Sequence, residues 1–218
     1  MSERGIIFST PMVQALLAGR KTQTRRIIKK PAALDALAVF GPTMLLQPGC
    51  ADLLPFAPGD RLWVREAWSH TGEGVWTIAD ARMRGRGRVI YRAEHEEAKA
   101  PGPRVDARWW PSIHMPREFS RLTLLVTEVR VQRLQEISEE DAKAEGLATV
   151  TKDGKLWKWG IPDRDGLPGT DNSGWPWTDW SADPRAAYRS LWESIHGPGS
   201  WDANPWVAAV SFRREGER

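Results

Sequence analysis

The longest strand pattern in the chain, over residues 121–134, constrains the fold more than any other stretch. Its apolar residues alternate as in a half-buried strand, but the alternation changes phase once. The apolar positions are Leu122, Leu124 and Val126 before the change, and Val129 and Val131 after it. An extra residue at Thr127–Glu128 indicates a β-bulge, which bends a strand where a sheet curls into a barrel. The pattern therefore predicts a curved sheet built around this strand.

Other strands are predicted from shorter runs of the same kind. Residues 22–27, 61–68 and 206–213 alternate at least in part and are expected to be neighbours of the long strand. A buried strand is expected at residues 5–8. Because consecutive strands of one small sheet usually pair, these segments should belong to a single sheet.

Three helices are predicted from their end signals. The hydroxyl of serine and the carboxylate of aspartate are favoured at helix N-termini, and glycine is favoured just after the last turn. The expected N-caps are Ser9, Ser138 and Asp183. Gly19 should end the first helix and Gly197 the last. Glu145 stands at the C-terminus of the middle helix, where the helix dipole disfavours an anion.

Two long segments, residues 28–57 and 148–182, have the turn-rich composition of insertions. The second contains five tryptophans and no periodicity, so we expect an ordered loop that covers the site without a helix or strand of its own. Residues 82–88, RMRGRGR, are predicted to form a turn between two strands. The order of elements predicts a mixed α+β protein with a single domain, residues 1–218, centred on one small β-barrel flanked by short helices.

Composition narrows the classes of protein that the chain can belong to. Its 218 residues can bury a core without disulfides, and its one cysteine, Cys50, provides neither a disulfide framework nor a cysteine metal cluster. No apolar run approaches the ~20 residues of a membrane span, and the first residues, MSERGIIFSTP, show no signal-peptide pattern. We therefore expect a soluble cytoplasmic protein without a membrane partner, a metal or a cofactor.

The segment Gly19–Arg26 concentrates the polar chemistry of the chain. Lys21 and Thr24 are a candidate base and a candidate nucleophile. Strict strand alternation would place these two side chains on opposite faces, so they share a site only if the backbone turns or bulges between them. The alternative interpretation is a basic strand start with solvated charges.

The run LLAGRKTQTRR, residues 16–26, resembles the first motif of the ASCH family, a branch of the PUA-like folds. Three further stretches follow in the family's order: GDRLWVRE at 59–66, ISEEDAKAEG at 137–146 and WVAAVSF at 206–212. The resemblance covers well under half of the chain. Because of its two insertions, the chain resembles the longer, phage-associated members of the family.

The resemblance implies a function. Compact bacterial members are amidohydrolases that remove the acyl group from cytidine acylated on its exocyclic amine. Their catalytic lysine, threonine and glutamate match Lys21, Thr24 and Glu145, as base, nucleophile and acid–base group. The substrate-binding residues are expected to be Arg20, Arg26, Trp63 and Glu66.

Two alternatives stay open at the level of the sequence. Arginine richness and thirteen tryptophans also suit a non-catalytic reader of RNA or DNA, which combines a positive groove with base stacking. A ribonuclease is the third interpretation, because lysine and glutamate near a phosphate can perform acid–base work. A small pocket that gathers the three catalytic candidates would favour the nucleoside hydrolase, and an open basic groove would favour the reader.

Overall fold

The computed structural model describes residues 2–95, 109–170 and 174–216. Nine strands and five α-helices, besides short 3-10 turns, follow one another along these residues. In chain order they are β1 (Glu3–Ile7), α1 (Thr10–Leu17), β2 (Gln23–Ile27), α2 (Pro31–Phe40), β3 (Arg61–Arg65), β4 (Trp68–His70), α3 (Ile78–Arg84), β5 (Val89–Tyr91), β6 (Thr123–Arg133), α4 (Glu139–Ala144), β7 (Ala148–Thr151), β8 (Trp157–Gly160), α5 (Pro184–His196) and β9 (Trp206–Arg214). The predicted α+β class is confirmed.

A mixed five-stranded sheet with the order β1-β3-β6-β9-β2 forms the centre of the molecule. Strands β1 and β3 are parallel, and the other neighbouring pairs are antiparallel. The register between β6 and β9 shifts between Val126 and Glu128, so the predicted bulge is confirmed at its predicted place. The four segments that were expected to be neighbouring strands form β3, β6, β9 and β2, which lie next to one another in that order.

The two edge strands approach each other without forming a ladder. In the described part of the chain no backbone pairing joins β1 to β2, and the sheet is therefore not a barrel closed by main-chain hydrogen bonds. A side chain spans the gap instead: Arg26 on β2 donates from Nη2 to the carbonyl of Ile7, at 2.8 Å. The same guanidinium lies 5.4 Å from the ring centroid of Phe8.

The main hydrophobic core joins the sheet to α1 and α5. Val13 of α1, Leu124 of β6 and Val210 of β9 are almost completely buried in it, as are Ala187 and Trp192 of α5. A separate small core lies under the β4–β5 hairpin, where the rings of Trp68 and Trp110 stack at 4.6 Å. None of the described helices is both long and apolar enough to cross a membrane.

Two predictions about residues 61–88 were wrong. The segment RMRGRGR is not a turn between strands: it forms the end of α3 and a 3-10 turn, because Thr77 and Asp80 make a reciprocal capping box that starts a helix. The predicted strand 61–68 ends at Arg65, and Trp68 begins β4 in a different sheet.

The second insertion also differs from its prediction, because it contains the antiparallel hairpin β7–β8. Its turn is stabilised by Asp153, whose Oδ1 accepts hydrogen bonds from the backbone N–H groups of Lys155 and Leu156. The Asp153–Gly154 pair was the local signal for this hairpin. Within the segment, Trp180 is buried and donates from Nε1 to the carbonyl of Trp175 at 3.0 Å.

Trp180 should be the anchor that holds the second insertion on the rest of the protein. Its ring fills the space above Gly160, where an added Cβ would lie only 2.5 Å away. We expect Trp180→Ala to lower the free energy of unfolding by about 3–5 kcal/mol, the usual cost of a large core cavity. Trp157→Ala, in the same hairpin but with half of its surface exposed, should cost less than about 1 kcal/mol. Urea denaturation checks both values, and equal losses for the two variants would contradict the anchoring role.

Candidate active site

A cavity of about 590 Å³ opens between the two edge strands of the sheet and α5. Its polar lining includes Lys21, Thr24, Arg25, Arg26, Glu145 and His196. Its aromatic lining consists of Phe8, Phe56, Tyr188 and Trp192. The three catalytic candidates and Arg26 therefore line one cavity.

Lys21 reaches the cavity because it lies before the strand rather than in it. The end of α1 turns at Gly19, with φ 71°, and the backbone N–H groups of Arg20 and Lys21 both donate to the carbonyl of Ala15. Lys21 forms an isolated bridge with Glu145, and the regular ladder of β2 starts only at Gln23. Strand alternation thus does not apply between Lys21 and Thr24, and both side chains face the same cavity.

The ammonium of Lys21 is fully buried and surrounded by acceptors. Nζ donates to the carbonyl of Gln23 at 2.9 Å, to the carbonyl of Glu145 at 2.8 Å and to Glu145 Oε2 at 2.9 Å. An ammonium has three donors, and here each has an acceptor, so the resting residue is protonated. Burial nevertheless lowers the pKa of Lys21, against the opposing charge of Glu145. Its proton is therefore lost more readily than that of an exposed lysine.

Glu145 occupies the C-cap of α4, where the helix dipole disfavours an anion. Two cations that contact its carboxylate offset this effect. While Oε2 accepts from Lys21, Oε1 accepts from Arg25 Nη1 at 3.0 Å. The Tyr188 hydroxyl lies 3.5 Å from the same Oε1. Burial, followed by the charge of Glu145, raises the pKa of Tyr188 well above its usual value, so the phenol remains neutral. The carboxylate is thus held in one orientation.

Arg25 is the site residue whose role the sequence indicated least. Its side chain is completely buried and contacts two carboxylates, Asp141 of α4 and Glu145 at the C-cap of that helix. Nη2 donates to Asp141 Oδ2 at 2.8 Å, and Nη1 also donates to Gln23 Oε1 at 2.6 Å. Arg130 on β6 donates to both oxygens of Asp141. This chain of charges ties the cavity wall to the central sheet.

Thr24 and Arg26 present polar groups to the cavity. Thr24 is buried in β2, and its hydroxyl has no hydrogen-bond partner among the residues that the structure describes. Arg26 makes its one side-chain hydrogen bond within the described ranges to the carbonyl of Ile7, and no described carboxylate forms an ion pair with it. Both side chains therefore retain hydrogen-bonding capacity for a ligand.

Three of the predicted substrate-binding residues lie elsewhere. Arg20 points to a different cavity behind Lys21. Trp63 lies on the other side of β3, where Arg65 is 5.3 Å from its ring centroid. Glu66 is buried, but it accepts two hydrogen bonds from Arg121, at 2.8 and 3.0 Å, and does not line the site. These positions follow from tertiary packing that strand patterns do not specify.

Other cavity residues belong to one face of α5: Tyr188, Leu191, Trp192, Ile195 and His196. The rings of Trp192 and His196 both line the cavity, with centroids 4.1 Å apart and planes tilted by 38°. Burial and the charges of Arg26 and Lys29 lower the pKa of His196, so its ring is neutral at neutral pH. The apolar period of α5 was the only signal, and it does not separate a core face from a cavity wall.

Comparison with known proteins identifies no family for the chain: no family model, no curated protein and no solved structure matches it. Among the described residues, no group of three or more histidine, cysteine, aspartate or glutamate side chains could hold a metal ion.

The lowered pKa of Lys21 should make stability depend on pH in the alkaline range. Below the unfolded pKa of 10.5, the unfolded chain binds more protons at this residue than the folded chain. Stability should therefore rise with pH between the folded and unfolded pKa values, by at most about 1.4 kcal/mol per pH unit. Lys21→Met removes this dependence. Chemical denaturation of both proteins between neutral pH and 10.5 measures the difference, and parallel curves would contradict the lowered pKa.

Proposed function

We propose that this protein is an amidohydrolase of the ASCH, PUA-like type that removes the acyl group from the exocyclic amine of a modified cytidine or related pyrimidine nucleoside. One observation carries the proposal: a buried lysine–glutamate pair and a buried threonine hydroxyl line the same cavity. These groups match the base, the acid and the nucleophile that amide hydrolysis requires. The resemblance of residues 16–26 to the ASCH motif supplies the substrate class.

The cavity has the size and the surface expected for a nucleoside. Its volume, about 590 Å³, lies in the usual range for small-molecule sites. Phe8, Phe56 and Trp192 provide flat apolar surfaces for a base, while Arg26 and Thr24 provide polar contacts. This favours a single nucleoside over an extended strand.

Proton transfer within the ion pair generates both catalytic groups. The Lys21 proton moves across the 2.9 Å hydrogen bond to Glu145 Oε2, leaving a neutral amine and a carboxylic acid. The amine removes the proton of the Thr24 hydroxyl as its oxygen attacks the acyl carbonyl. Glu145 then protonates the leaving exocyclic amine, and water hydrolyses the acyl-threonine ester. Arg26 stabilises the developing oxyanion with its available N–H groups.

A second candidate, a reader of nucleic acid, is favoured by one surface feature. Arg84, Arg86 and Arg88 are exposed on the end of α3 and the turn that follows. Clustered arginines of this kind bind phosphates. Cleavage of an acylated nucleoside in the absence of any polymer would distinguish the enzyme from the reader.

The catalytic assignment predicts a large loss of activity for each of three variants. Lys21→Ala, Thr24→Ala and Glu145→Gln should each reduce kcat/KM on an acylated cytidine by about a thousandfold or more. Screening of acylated nucleosides by mass spectrometry identifies the substrate, and steady-state kinetics then measure the loss.

Exposed neighbours of the same residue types serve as matched controls. Thr22, Lys30 and Glu140 are exposed, lie close in sequence to the three candidates and do not line the cavity. The variants Thr22→Ala, Lys30→Ala and Glu140→Gln should therefore retain wild-type kinetics. Wild-type turnover by both Lys21→Ala and Thr24→Ala would remove these residues from the mechanism. Tight RNA or DNA binding without cleavage of any acylated nucleoside would support the reader.

Arg25 should act as a positioning residue for Glu145. Arg25→Lys keeps a buried cation but cannot contact Glu145, Asp141 and Gln23 together, because lysine lacks the planar fork. We expect kcat to fall by about ten- to a hundredfold with little change in KM, since substrate contacts are retained. Kinetics of the folded variant over a range of pH check this. An unchanged kcat and pH profile would show that the network is not needed for orientation.

A further inference from the structure

A second cavity, of about 360 Å³, lies behind the wall that carries Lys21 and Glu145. Arg20, which precedes Lys21 in sequence, and Gly146, which follows Glu145, line this second cavity. Its other walls are the outer side of α1 and residues 161–166 of the second insertion. The insertion that was expected to cover the first cavity thus helps to form a different one.

Arg20 places in this cavity a guanidinium that has no hydrogen-bond or ion-pair partner among the residues that the structure describes. Its Nε is completely shielded from solvent, and it has no hydrogen-bond acceptor in the described ranges. Burial lowers the pKa of the guanidinium, and no acidic group of the described residues opposes that effect. A buried guanidinium normally has a carboxylate or carbonyl oxygen near each N–H group.

Arg164, in the second insertion, lines the same cavity. Only one nitrogen of its guanidinium, Nη2, is hydrogen-bonded to described residues. Nη2 donates to the carbonyls of Arg92 and His95, at 2.9 and 2.6 Å. Nε and Nη1 are shielded from solvent and have no acceptor in the described part of the chain. The two arginines together therefore leave three buried N–H-bearing nitrogens around one cavity without an acceptor among the described residues.

The only carboxylate in the lining, among the described residues, is engaged by its own loop. Asp163 Oδ1 accepts a hydrogen bond from the backbone N–H of Gly174 at 2.7 Å. The loop packs so closely around this side chain that a Cβ added to Gly169 would lie 2.5 Å from Oδ2. Asp163 thus stabilises the loop, and the two guanidinium groups give the cavity an excess of positive charge.

We propose that this second cavity binds a small oxyanion, the phosphate or carboxylate group of a small molecule, between Arg20 and Arg164. Guanidinium groups present their N–H donors in a fork that matches two oxygens of such a group. The oxyanion supplies the acceptors that the described residues do not. The site is independent of the proposed hydrolase activity, because it uses none of the residues of the first cavity.

Calorimetric titration tests the site directly, with inorganic phosphate and acetate as separate probes at constant ionic strength in chloride. We expect saturable binding of at least one probe by the wild type. Arg20→Gln and Arg164→Gln should each weaken this binding by about tenfold or more, because each removes a charge-assisted contact. Preference for phosphate or for acetate distinguishes the two chemical sources.

Control variants separate this site from the first cavity and from general charge. Arg84→Gln removes an exposed arginine that lines neither cavity, and Arg26→Gln removes a cation of the first cavity; both variants should bind the probe as the wild type does. Arg164→Lys, which retains the charge but lacks the planar fork, should bind with intermediate affinity. Loss of binding in Arg26→Gln alone, unchanged binding in both Arg20→Gln and Arg164→Gln, or no saturable binding of either probe to the wild type would overturn the proposal.

Discussion

The buried contact between Lys21 and Glu145 connects two parts of the chain that are far apart in sequence. It joins the turn between α1 and β2 to the end of α4, across a separation of 124 residues. Two opposite charges taken out of water are stable only when their remaining hydrogen-bonding groups are also satisfied. Arg25 and the two backbone carbonyls around Nζ provide that satisfaction. Removal of one partner would leave the other charge buried, at a cost of about 3–5 kcal/mol.

The central sheet supplies the rigid support for this contact. The network continues from Glu145 through Arg25 and Asp141 to Arg130, which lies on β6, the strand that carries the bulge. Since β6 pairs with β9 along most of its length, the far end of the network is fixed by the longest ladder in the molecule. A site whose polar groups are held in this way is preorganised, and electrostatic catalysis requires that property.

The two insertions differ in their relation to the site. Phe56, near the end of the first, contributes an aromatic wall to the first cavity. The second packs behind α1, and its Arg164 meets Arg20 in the second cavity. Arg20 and Lys21 are neighbours in one turn, and they therefore line two different cavities. Gly146 permits this closeness: at φ 108°, an added Cβ would lie 3.2 Å from Lys21 Cβ.

The sequence by itself determined the parts of the structure that local physical rules control. Alternating apolar residues specify the strands, the phase change at Thr127–Glu128 specifies the bulge, and the capping residues Ser138 and Asp183 specify where α4 and α5 begin. These signals act over a few residues, so they can be interpreted without knowledge of the rest of the chain. The same applies to the capping box at Thr77 and the Asp153–Gly154 turn, whose signals were present and misinterpreted.

Only the tertiary structure decided which polar residues meet. Lys21 and Thr24 share a cavity because Lys21 bridges to Glu145 before the ladder of β2 begins, and that bridge is a contact between distant segments. Arg20 and Glu66 have residue types that suit the first cavity, but packing directs the former to the second cavity and the latter to Arg121. Burial of a charge depends on partners that come from other parts of the chain, and no local pattern of residues encodes those partners.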